Sequence, residues 1–76
     1  MKSVEISLNS IDKVKSFVNE IAKFDSDFDL VSGRYVIDAK SIMGIFSLDL
    51  SKPIILEAHT DDASEFFAKI KQYIVD

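Results

Sequence analysis

The chain has 76 residues, too few for a second core, so a single domain over residues 1–76 is expected, folding with little margin. Hydrophobic residues make up 47% of it, which favours folding over disorder, and the absence of cysteine excludes disulfide staples and thiolate metal sites. Thirteen acidic against nine basic residues leave a net charge of −4, which disfavours nucleic acid and anionic membrane surfaces as partners.

Met1-Lys2-Ser3-Val4-Glu5 carries no apolar leader core and no stretch approaches the length of a membrane span, so a cytoplasmic protein without membrane insertion is expected. From Lys2 to Leu8 the residues alternate, Val4, Ile6 and Leu8 on one side and Ser3, Glu5 and Ser7 on the other, as in a half-buried strand. Asn9 and Ser10 offer N-cap oxygens, and Asp12 falls in a first turn where negative charge is favoured. Ile11, Val14, Phe17, Val18, Ile21 and Ala22 recur at helical spacing, which predicts an amphipathic helix over 11–23. Asp25 to Val31 reads as a second strand with Phe28 and Leu30 inward, Ser32-Gly33 as a turn, and Arg34 to Ile37 as the returning third strand.

A short helix is predicted over 41–48, with Ser41 as N-cap and Gly44 allowing another backbone to come close. Asp49 to Lys52 is a polar connector, and Pro53 starts a fourth strand with Ile54, Leu56 and Ala58 inward and Ile55, Glu57 and His59 outward. Asp62 followed by Glu65 reads as a capping box, opening a last helix over 62–75 with Ala63, Phe66, Phe67, Ile70, Tyr73 and Ile74 as its apolar stripe. The order strand-helix-strand-strand-helix-strand-helix predicts an α+β fold, one four-stranded antiparallel sheet with the two long helices on one face.

Lys40-Ser41-Ile42-Met43-Gly44 followed by Ser47-Leu48 resembles the regulatory-serine segment of the HPr family, the small phosphocarriers of the bacterial sugar phosphotransferase system. The resemblance covers nearly the whole chain and implies the family's open-faced β-sandwich, βαββαβα. It implies phosphorylation of Ser41 by an ATP-dependent kinase, and docking of partners on Lys40 and the apolar patch of Ile42, Met43 and Phe46. The partners it implies are phosphotransferase-system proteins, HPr kinase or a carbon-control transcription regulator. Residue by residue, the family's phosphorylated histidine falls on Ser10 when counted back from Ser41 without gaps, its arginine on Asp12 and its proline on Lys13. All three have changed. A phosphoserine is an ordinary ester with low transfer potential, and Asp12 would repel the phosphate an arginine would hold.

The resulting expectation is a non-enzymatic regulatory or interaction protein without the phosphohistidine, monomeric or weakly dimeric, needing no cofactor. A phosphocarrier with an unrecognised acceptor and a degenerate HPr-fold binding or dimerisation domain are the other readings. Each singled-out residue also has a plain structural role: Ser10 and Ser41 as helix caps, Ile42, Met43 and Phe46 as the rim of the core. His59, the only histidine, is expected as an isolated surface residue. Asp25, Asp27 and Asp29, on one strand face, are too spread for a tight calcium site and are expected to discourage edge pairing, so no metal is assigned.

Overall fold

The two periodicities of the chain, two and 3.6, resolve into distinct layers in the computed structural model, which describes residues 2–60 and 64–75. The elements are β1 (Lys2–Ile6), α1 (Ile11–Ile21), β2 (Asp27–Ser32), β3 (Tyr35–Asp38), α2 (Ile42–Phe46), β4 (Ile54–His59) and α3 (Ser64–Lys69), followed by a 3-10 turn over Lys71–Tyr73. The sheet is antiparallel throughout with strand order β1-β4-β2-β3. The β2–β3 hairpin turns through Gly33 and Arg34, with Ser32 opposite Tyr35. Gly33 has φ +60° and no non-glycine residue among those described has positive φ, the pattern of a tight turn that needs glycine at its first central position.

The inward residues of the strands meet the helical stripes as the alternation requires. Ile6, Phe28, Leu30, Ile54, Leu56 and Ala58 are buried against Val14, Phe17 and Ile21 of α1 and Phe66 of α3, with Ile70 and Tyr73 behind it. Phe28 and Phe66 stack with ring centroids 4.2 Å apart, and Phe24 meets both edge-on, at 6.4 and 5.3 Å. Ile45 and Leu48, from the short central helix and just after it, are also buried. Ile11 departs from its expected place in the stripe: as the first residue of α1 it is 63% exposed.

Three further expectations change. The last helix, expected over 62–75, stops at Lys69, and after the 3-10 turn the chain is extended at Ile74. Ile74 bridges Ile6, the Ser7 N–H donates to the Tyr73 carbonyl at 2.8 Å, and the Val75 N–H donates to the Glu5 carbonyl at 3.0 Å. The outer edge of β1 otherwise has unpaired backbone groups there, and satisfying them competes with another turn of helix. Asp62 and Ala63 lie outside the described residues, and the expected capping box with them. The aspartates of β2 do not guard an edge, because β2 lies between β4 and β3, and Asp25 precedes the strand. The close approach at Gly44 is by side chains: a Cβ there would meet Ser41 Oγ at 3.2 Å and Ile37 Cδ1 at 3.3 Å.

Candidate functional site

Each of the two serines singled out in the sequence caps a helix. Ser10 has extended backbone, and its Oγ accepts from the Lys13 N–H at 3.1 Å. This satisfies one of the donors that the start of a helix leaves free. Asp12 follows in the first turn of α1 and is exposed, as is Lys13. No arginine stands beside Ser10 in the sequence, and the start of α1 offers a carboxylate where an anion clamp would need a cation.

Ser41 repeats the arrangement at α2. Its Oγ accepts from the Gly44 N–H at 3.3 Å and the residue is exposed. The helix it caps has only five residues, shorter than the eight expected over 41–48, so its macrodipole is small. The turn that leads into it is tied by the Lys40 N–H, which donates to Asp38 Oδ1 at 2.9 Å, and by the Ser41 N–H, which donates to the Asp38 carbonyl. The Lys40 ammonium does not lie free beside Ser41. Its Nζ donates to the Phe24 carbonyl at 2.7 Å and sits 5.5 Å from the centre of the Phe28 ring. A carbonyl and a ring face in a part-buried setting hold the cation better than open water holds it near a neutral hydroxyl.

Of the three apolar residues expected on the surface of α2, Met43 is 77% exposed and Phe46 41%. Ile42 is half-buried and packs against the core, because the burial of Ile45 draws the inner side of this short helix down with it. The exposed patch is therefore narrower, Met43 with Phe46, adjoining the Ser41 hydroxyl.

His59 is exposed on the open face of the sheet but is not isolated. Its Nε2 lies 2.8 Å from Asp29 Oδ2. Asp29 stands directly across from Glu57, and the donor atoms of Asp29, Glu57 and His59 lie within 4.8 Å of one another. Sequence spacing did not bring these residues together because Asp29 and His59 are 30 positions apart and meet only through the β2–β4 register. The signal available was the shared outward parity of the three residues on two strands.

No helix among the described residues is long and apolar enough to cross a membrane. Solved structures with similar folds include HPr-C-His from Thermoanaerobacter tengcongensis, at 30% identity and TM-score 0.79, covering 95% of this chain and 89% of that one. The phosphocarrier protein HPr from Bacillus anthracis is similar at 28% identity and TM-score 0.72, covering 97% and 94%. The Bacillus subtilis catabolite repression protein Crh is similar at 25% identity and TM-score 0.64, covering 96% and 90%. No curated protein shows significant sequence similarity. The family model described as the PTS HPr component phosphorylation site matches residues 13–76, most of the chain, and the chain belongs to the HPr family.

Proposed function

We propose that this chain is an HPr-like regulatory protein of the phosphotransferase system that works without a phosphohistidine and is switched by phosphorylation of Ser41. The single observation that carries the reading is the contrast between the two capped helices. The start of α1 offers Ser10 and Asp12, with no imidazole and no guanidinium, whereas the start of α2 offers an exposed hydroxyl next to exposed Met43 and Phe46. A phosphate on Ser41 brings about −1.5 to −2 charge. It meets free backbone N–H groups at the helix start, and these can hydrogen-bond its oxygens. The fold is kept and the adjoining apolar surface changes character. A dianion beside Met43 disfavours an acidic partner and favours one that presents arginines. The protein then acts as a signal rather than a catalyst, recognised by phosphotransferase-system proteins, by HPr kinase, or by a carbon-control transcription regulator.

Intact-mass analysis after two incubations tests this. With HPr kinase and ATP the chain is expected to gain one phosphate. With enzyme I and phosphoenolpyruvate it is expected to gain none, because no imidazole stands at position 10. A phosphate mapped to Ser10 in the second incubation would make the protein a carrier and end this reading.

The docking role of α2 is tested separately by Met43→Lys. Met43 is 77% exposed, so its replacement is expected to change stability by no more than about 0.5 kcal/mol in thermal melts. Binding of the partner should weaken. A large fall in melting temperature would place Met43 in the core. Self-association is a further expectation, since Crh from B. subtilis and an HPr from T. tengcongensis were each crystallised as a dimer, the former with a swapped domain. For this chain we propose a monomer or a weak dimer.

A further inference from the structure

The open face of the sheet carries a row of charge that the family's phosphate chemistry does not use. Asp29, on the central strand β2, stands directly opposite Glu57 of β4 on one side and Asp38 of β3 on the other. Three carboxylates in one cross-strand row repel, since like charges directly opposite each other destabilise a sheet. Among the described residues no lysine or arginine forms a salt bridge with any of them. Asp38 is partly occupied, accepting from the Lys40 N–H. Asp29 and Glu57 are left to share one neighbour of a different kind, the His59 imidazole, which is two residues along β4 from Glu57 and on the same side.

This imidazole makes the group more than an acidic patch. It adds a nitrogen donor to two carboxylates, on two paired strands whose hydrogen-bonded ladder fixes their spacing. The three donor atoms already lie within 4.8 Å of one another. Two ligands at tetrahedral positions around zinc are about 3.3–3.4 Å apart, given metal–ligand distances near 2.0–2.1 Å. The Nε2–Oδ2 separation of 2.8 Å is that of a hydrogen bond, so a metal would replace the shared proton, part these two atoms slightly and draw the Glu57 carboxylate in. The side chains are neither buried nor fully in water, at 39% exposure for His59 and 34% for Asp29, and Asp27, Phe28, Asp29, Asp38 and His59 line an open cleft there. Water has access to complete the coordination.

The geometry points to a divalent transition-metal site formed by Asp29, Glu57 and His59 on the face of the sheet away from the helices. The ligand set is one nitrogen and two carboxylates, which suits zinc and its first-row neighbours. Calcium and magnesium prefer oxygen ligands alone. Binding relieves the repulsion between Asp29 and Glu57 by placing a cation between them. The site does not depend on the reading of Ser41, which lies on another element.

Isothermal titration of the untagged protein with zinc chloride tests it. One ion per chain is expected to bind, and His59→Ala and Glu57→Gln are each expected to weaken binding roughly tenfold or more. Asp12→Asn, on a different element, should leave it unchanged. Melting curves without metal show whether each variant is folded, and the two ligand variants are independent, so loss of one to misfolding still leaves a result. Calcium chloride at the same concentration should not bind. Absence of zinc binding to the parent protein, or binding that persists unweakened in both ligand variants, would overturn the site.

Discussion

Replacing Phe66 by alanine is expected to destabilise the protein by about 3–5 kcal/mol, read from urea or guanidinium unfolding. The ring is 2% exposed, stacked on Phe28 and met edge-on by Phe24, so its removal opens a void in the layer between α3 and the sheet. Small domains have only about 5–15 kcal/mol in total, and this one is near the lower size limit for an unstapled core. The variant should therefore lose a large share of its stability. Phe67, its neighbour, is half-buried, and the same truncation there should cost clearly less. A loss of under about 1 kcal/mol at Phe66 would contradict the packing of α3 described above.

The second large effect concerns one oxygen atom. Ser41→Ala should abolish the phosphate gained with HPr kinase and ATP, and should also cost about 1 kcal/mol through loss of the helix cap. Both follow from Ser41 Oγ, which accepts from the Gly44 N–H at the start of α2. Phosphorylation of the parent protein should shift its stability by only about 1 kcal/mol in either direction, since the phosphate oxygens can take over the N–H that the hydroxyl served. If the parent stays unmodified while an authentic HPr is phosphorylated alongside it, Ser41 is a cap and nothing more.

The parts of the fold that were legible in the sequence are those where one local rule acts alone. The alternation in Ile54 to His59 gave the correct inward and outward sides, and the spacing of Val14, Phe17 and Ile21 the correct helix face. The region after Lys69 was misread because Ile70, Tyr73 and Ile74 fit helical spacing while their placement is decided by a distant strand with unpaired backbone groups. The placement of Lys40 likewise depends on distant residues. Its neighbour in sequence is Ser41, but the carbonyl it serves belongs to Phe24 and the ring under it to Phe28. The Ser10 and Ser41 caps were visible because capping is local. The grouping of Asp29, Glu57 and His59 was not, because it depends on which strand lies beside which, and alternation does not fix strand order.

The seam between Ile74 and Ile6 joins residues separated by nearly the whole length of the chain. Closing so long a loop costs configurational entropy that grows only slowly with length, by about 0.6 kcal/mol for each doubling. Such non-local pairings are nevertheless the ones that slow folding most. Here the seam works as a clasp. β1 is held on one side by β4 along its length and on the other by two backbone hydrogen bonds, to Tyr73 and Val75. The opening stretch of chain and the closing stretch thus share one fate, and anything that pulls on either is felt by the other. At the other edge of the sheet lies β3, four residues long, where Tyr35 and Val36 face solvent. A strand arriving from another molecule would find its free backbone groups there.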